Sequence, residues 1–325
     1  MQSVTLIRSC ALALLAAVIS GGAFAQAWPS KPVKLLVPFG PGSGTDTIAR
    51  VVAEGLSENL KQPVIVENRE GAGGIVGTKA SMTMPADGYT VVAISNAFLI
   101  APQLFKVAPY DPTRDFTALS KVAAMPMTIV VGASSPYKTM KDLIDYIKAN
   151  PGKASFATSG KGAQSHLEIE YIKQQLGLNA VDIPYKSTGA AIGDTISNTV
   201  TFYMPVFPPV ASNVGSGKLR ALAIGAPSRL AATPDIPTYV EATGIPNYVP
   251  TSWFGYVVLA GTPAEAVARL DQGLGYAATL PRVRDKIQGV GANMSVAPSR
   301  EFSAEIKAEA EKWGKLITAL GMRTE

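Results

Sequence analysis

The chain has 325 residues, with 29 Lys and Arg against 24 Asp and Glu, one Cys and one His. Its 47% hydrophobic and 16% charged residues are enough to bury a core, and the length suits two domains at roughly 100–200 residues each. One Cys and one His exclude an intramolecular disulfide, a Cys-based zinc site and most transition-metal centres. A pI near 9.1 favours anionic partners in general, not nucleic acid in particular.

Residues 1–25 read as a secretory leader. Arg8 supplies a positive start, residues 11–19 are uninterrupted apolar, Ser20-Gly21-Gly22 breaks the run, and Ala23-Phe24-Ala25 is a small-x-small cleavage site. The apolar run is about half the ~20 residues that span a bilayer. Cys10 precedes that run, which is the wrong place for lipid attachment. Cleavage after Ala25 starts the mature chain at Gln26 without a thiol, so a cysteine nucleophile is excluded. An exported protein also works without the cytoplasmic pools of ATP and nicotinamide nucleotides.

In chain order, the apolar run 31–39 predicts a buried strand, 45–61 a helix with Ile48, Val51, Val52, Leu56 and Leu60 at helical spacing, and 63–67 a second strand. A helix over 74–84 and a strand over 90–95 follow. The pattern resumes with a strand at 127–132, a helix at 140–150, a strand at 154–157, a helix at 164–176, a strand at 180–183 and a helix at 190–197. Strands at 200–203 and 219–224, a Pro- and Gly-rich stretch over 227–250, a strand at 253–260 and helices over 264–279 and 299–320 complete the chain. Alternation of this kind is an α/β layered fold. Crossings near Met125 and Thr251 predict a discontinuous first domain (26–125 plus 252–325), a second domain (126–251), a hinge and a cleft between them. Ligands of such sheets lie beyond the carboxyl ends of the strands.

Three turns there carry chemistry. Pro38-Phe39-Gly40-Pro41-Gly42-Ser43-Gly44-Thr45-Asp46 combines close backbone approach with a helix start, which suits an anion; equally, Thr45 or Asp46 caps the helix. It lacks the Lys of a P-loop and the third glycine of a dinucleotide fingerprint. Thr158-Ser159-Gly160-Lys161-Gly162-Ala163-Gln164-Ser165-His166 adds hydroxyls, a Lys and the sole His, which is open to ligand contact, a structural bond or catalysis. No G-x-S-x-G elbow accompanies it, so a serine hydrolase using His166 with Ser159 or Ser165 is the weakest class. Tyr185-Lys186-Ser187-Thr188-Gly189-Ala190 repeats the theme. The 203–209 stretch (YMPVFPP) is either an apolar cleft wall or domain-edge packing.

These loops resemble the periplasmic substrate-binding proteins of tripartite tricarboxylate transporters, the Bug family. The resemblance runs from Trp28-Pro29 through the Pro38-to-Asp46 turn, Glu67-Asn68-Arg69, Gly71-Ala72-Gly73-Gly74, Pro85-Ala86-Asp87-Gly88-Tyr89-Thr90, Ser165-His166-Leu167, Tyr185-Lys186, Pro234-Asp235-Ile236-Pro237-Thr238, Trp253-Phe254-Gly255 and Ala260-Gly261-Thr262-Pro263. It implies a two-domain α/β flytrap of the type II periplasmic binding class, which binds without catalysis or cofactor. The implied ligand contacts are Phe39, Gly42, Ser43, Gly44, Thr45, Asp46, Ser95, Asn96, Ser159, Gly162, Ser165, His166, Thr188, Gly189, Pro205 and Val206. The implied ligand is a small carboxylate, and the implied partners are the large and small membrane subunits of the transporter, the receptor itself being a monomer.

Ser43, Glu70 and Ser187 depart from the usual glycine, proline and glycine of the family. Relatives that take amino-bearing ligands often carry an Asp where strand alignment places Pro205. A buried ammonium needs a partner, so the expected ligand is an aliphatic or aromatic dicarboxylate without an amino group. Presentation of the ligand to a sensor is the alternative output. The scattered Lys and Arg give no nucleic-acid surface.

Overall fold

A computed structural model describes residues 28–105, 109–158, 160, 162–185 and 187–323. The expected leader lies outside them. Strand β1 (Val33–Val37) is buried at all but one position, as its continuous apolar run requires, and lies parallel to β2 (Val64–Asn68) and β3 (Thr90–Ser95). Helix α1 (Gly44–Leu60) joins β1 to β2, burying Ile48, Val52, Leu56 and Leu60. Its cap is Ser43, whose Oγ accepts the Asp46 N–H at 3.2 Å, and not Thr45 or Asp46. Lys61, in the left-handed conformation (φ 56°), ends it.

The helix expected over 74–84 is shorter and split. A 3-10 turn, Ala72–Gly74, leads into α2 (Ile75–Ser81), because Gly73 and Gly74 take positive φ (64° and 97°) and break the helical path. Beyond β3 come α3 (Ala97–Ile100) and a 3-10 turn, Ala101–Leu104.

The longest strand, β4 (Phe116–Pro126), had no counterpart in the sequence reading beyond its final residues. Its small residues are buried on both faces, so no polar alternation marks it. It pairs antiparallel with β10 (Thr251–Leu259), and the first sheet has the order β11-β4-β10-β3-β1-β2, where β11 is Asn293–Ala297.

The second sheet has the order β7-β6-β8-β5-β9. It comprises β5 (Thr128–Gly132), β6 (Ala154–Thr158), β7 (Ala180–Pro184), β8 (Phe202–Tyr203) and β9 (Leu219–Ile224). Around it lie α4 (Met140–Ala149), α5 (Gln164–Leu176), α6 (Thr188–Ile196), α7 (Pro208–Gly215) and α8 (Tyr239–Thr243). The Pro- and Gly-rich stretch over 227–250, to which the sequence assigns no element, contains α8, started by a capping box between Thr238 and Glu241. Helices α9 (Ala264–Thr279), α10 (Pro281–Gly289) and α11 (Ser299–Ala319) return to the first lobe. The fold is thus α/β with two mixed sheets, each lobe holding its own apolar core.

The chain passes between the sheets where β4 meets β5 and where the second lobe meets β10. The Met127 N–H donates to the Pro250 carbonyl (3.1 Å), and the Gly225 N–H donates to the Met127 carbonyl (2.7 Å). The 203–209 stretch joins them: Phe207 N–H donates to Pro126 O (2.7 Å) and Thr128 N–H to Pro205 O (2.9 Å). Among the described residues, no helix is long and apolar enough to cross a membrane.

Candidate functional site

The β1–α1 turn is held by its own residues. Asp46 is 3% exposed, and both its carboxylate oxygens are engaged. Oδ2 accepts from Gly42 N–H (2.9 Å) and Arg50 Nε (3.0 Å), and Oδ1 accepts from Asn68 Nδ2 (2.8 Å). Asn68 Nδ2 also donates to the Phe39 carbonyl (3.0 Å), which ties the turn to β2. Burial opposes the Asp46 charge, but the bonds from Arg50, Gly42 and Asn68 outweigh it and hold the carboxyl below its ordinary value. Asp46 therefore shapes the turn, and Thr45 beside it is buried as well. Gly44 passes close to the Phe254 ring and Gly74 close to the Phe39 ring.

At the end of β3, Ser95 faces open space while Asn96 turns inward. Asn96 Oδ1 accepts the Trp253 N–H (2.9 Å), and its Nδ2 donates to Glu309 Oε2 (3.3 Å). The Trp253 indole donates to the same Glu309 oxygen at 2.9 Å. Asn96 thus couples β3, β10 and α11.

In the second lobe, Thr158 Oγ1 donates to Asp182 Oδ1 (2.5 Å) and accepts the Gly160 N–H (3.1 Å), which sets the path of the loop before α5. His166 is buried with Nε2 3.9 Å from Asp182 Oδ2 and 4.0 Å from Glu170 Oε1, beside the Phe156 ring. Glu170 is itself paired with Lys173 at 2.6 Å. Gly162 (φ 82°) packs against Leu104 of the first lobe, where a Cβ would lie 2.7 Å from Leu104 Cδ1.

Ser43 caps α1 and Ser187 caps α6, but the N-cap of α5 is Ala163, which has no side chain to accept the first N–H groups. Those donors, with the positive end of the helix dipole, suit an anion. Ala163, Gln164, Gly162 and His166 border a cavity of about 870 Å³. Ser95, the Ala72–Gly73 turn and Ile75 face them from the first lobe, and Leu320 to Arg323 close one side. Arg323 is the lining cation that the loop-centred sequence reading missed, because it stands near the chain terminus and in no motif.

A second cavity, about 420 Å³, opens at the carboxyl ends of β6 to β8 and is lined by Thr158, Pro184, Tyr185, Ser187, Thr188, Ala191 and Tyr203. The Tyr185 hydroxyl donates to Asp194 Oδ2 (2.7 Å); burial and that carboxylate push it up to about 12. Burial also raises the Tyr203 hydroxyl, against the effect of its bond with Thr188. Thr158 stands between the cavities, since its Asp182 partner faces His166.

Of the residues singled out from sequence, Ser95, Gly162 and His166 thus line the larger cavity and Thr188 the smaller. Phe39, Gly42, Ser43, Gly44, Thr45, Asp46, Asn96, Ser165, Gly189, Pro205 and Val206 line neither. Pro205 and Val206 lie at the crossing between the lobes, where Val206 bridges Met127. Ser159 lies outside the described residues. No cluster of three or more His, Cys, Asp or Glu among the described residues could hold a metal.

Residues 48–322 match the model of the tripartite tricarboxylate transporter family receptor. Protein BugT of Bordetella pertussis is 31% identical over 325 residues, which covers 99% of each chain. The structure of the periplasmic binding protein BugD is 32% identical and superposes with a TM-score of 0.72, covering 92% of this chain and 100% of that one. An R. palustris protein with adipate is 29% identical with a TM-score of 0.73, covering 90% of this chain and 98% of that one. The chain belongs to the tripartite tricarboxylate transporter receptor family, the periplasmic binding proteins that include the Bug proteins.

Proposed function

We propose that this receptor captures a small dicarboxylate without an amino group between its two lobes and delivers it to the large and small membrane subunits of its transporter. The observation that carries the reading is the uncapped amino end of α5, which borders the larger cavity together with Gly162, His166 and Arg323. Helix N–H groups and an Arg suit a carboxylate. An ammonium is poorly served: Glu170, the carboxylate lining that cavity among the described residues, is taken by Lys173. The adipate held by the R. palustris relative is a ligand of the same class.

The receptor's output is binding, with no turnover. Closing the lobes on a ligand lets a permease tell loaded from empty receptor, because the two arrangements make different contacts. In the mature protein the leader is removed after Ala25, residues 26–125 and 252–325 form one domain, residues 126–251 form the other, and the receptor works as a monomer. A thermal-shift panel of aliphatic and aromatic mono- and dicarboxylates, citrate and amino acids tests the ligand class. Stabilisation should fall on plain dicarboxylates, by about 2.7 kcal/mol at a hundredfold excess over Kd. A panel led by amino acids would reject it.

A further inference from the structure

Away from both cavities, the lobes are joined by a charged contact. Lys312, on α11 of the first lobe, places its ammonium 3.4 Å from Glu168 Oε2 on α5 of the second. Glu168 is 2% exposed, and its Oε2 also accepts the Tyr248 hydroxyl at 2.8 Å. The ammonium lies over three rings, with centroids at 4.0 Å (Trp313), 4.4 Å (Tyr171) and 5.2 Å (Tyr248). One turn earlier on α11, Glu309 accepts from Asn96 and Trp253 of the first lobe. A single helix therefore grips the first lobe through Glu309 and the second through Lys312.

A partly buried ion pair, with Glu168 sealed off and Lys312 28% exposed, is a costly way to fill a seam, since apolar side chains of similar volume are often as stable or more so. It does give direction: the ammonium is held at one point by a carboxylate and aromatic faces, whereas an apolar seam can slide. We propose that Lys312 and Glu168 form a lobe-to-lobe tether that restricts relative rotation of the lobes, set apart from the residues that line the cavities. Losing either charge leaves the other without its counter-charge in the seam, so the two residues act as one unit.

The test is the distribution of distances between spin labels at Lys79→Cys on α2 and Lys148→Cys on α4, both exposed positions on different lobes. The chain produced from Gln26 holds no native thiol, so the two introduced cysteines take all the label. Lys312→Met and Glu168→Gln should each widen the distribution by about 1.5-fold or more, and the double variant should be no wider than the broader single one. Lys312→Arg, which keeps the charge, should stay close to the background. Distributions that superimpose on the background would overturn the tether, as would widening that adds in the double variant. Should Lys312→Met not fold by circular dichroism, Glu168→Gln alone decides in the same way. The measurement needs no ligand, so its outcome is independent of the proposed ligand class.

Discussion

The N–H of Met127 donates to the carbonyl of Pro250 at 3.1 Å, so the outgoing and returning chain are bonded to each other where they pass between the lobes. Gly225 completes the junction, its N–H on the Met127 carbonyl and its Cα facing Pro250. A Cβ there would lie 1.8 Å from Pro250 O, closer than any contact a backbone can absorb without moving. Gly225→Ala should therefore cost at least the ~1–3 kcal/mol typical of overpacking. Urea denaturation checks this through a lower midpoint at unchanged slope. A midpoint equal to wild type would mean that the junction is slack.

The Asp46 clasp has a pH signature. Its folded-state pKa is lowered, so the stability it contributes is present above the ordinary Asp range and is lost as pH falls through the folded value. Asp46→Asn should cost about 1–2 kcal/mol at pH 7, a modest figure because Arg50 is half exposed and its share is screened. The gap between variant and wild type should close below about pH 4. A gap of constant size from pH 7 to pH 3 would show that the charge of Asp46 is irrelevant to the turn.

Glu309 behaves in the opposite sense. Burial, with help from the Glu168 carboxylate and against the Trp253 bond, raises its carboxyl above the ordinary value of 4.5. The protonated form favours the fold, so this contribution is present below the ordinary value and fades as pH rises through the folded one. Relative to wild type, Glu309→Gln should gain stability between pH 4 and pH 7. Glu309→Ala, which strands the Trp253 indole and Asn96, should lose about 1–3 kcal/mol. Paired denaturation curves at the two pH values separate these effects. A Gln variant that weakens steadily toward pH 7 would contradict the raised carboxyl.

Gly162 tests the seam from the ligand side. It combines a positive φ of 82° with a Cβ position 2.7 Å from Leu104 on the facing lobe. Gly162→Val should lower affinity for the captured ligand about tenfold or more, while the melting temperature falls only slightly, since the strain sits in a loop. Unchanged affinity by titration would place this loop outside the binding surface.

Much of the fold could be read from periodicity. The strand–helix–strand opening and helices such as α4 and α9 carry clear apolar faces, and β1 is a continuous apolar run. The failures share a cause: β4 is built of small residues buried on both sides, β11 is a short mixed run and α10 is short and polar, so their place is set by packing. At the site, sequence singles out the turns but not how their atoms are used. Ser43 and Ser187 are consumed as caps, Asp46 as a clasp and Asn96 as a brace, while Ala163, which sequence gives no reason to notice, puts no side-chain cap at the start of α5. The Thr238–Glu241 capping box is a local signal set among prolines that interrupt the helical pattern around it.

The proposed ligand class requires that the cleft prefer a plain dicarboxylate to its amino-bearing counterpart. Calorimetric titration of adipate and of 2-aminoadipate into refolded, ligand-stripped protein measures this on one matched pair. Micromolar binding, roughly −8 kcal/mol, is well within range. The account predicts that adipate binds and that the added ammonium weakens binding by at least tenfold, about 1.4 kcal/mol. Tighter binding of 2-aminoadipate would contradict it, because an ammonium would then have a partner that the Lys173-bound Glu170 does not supply.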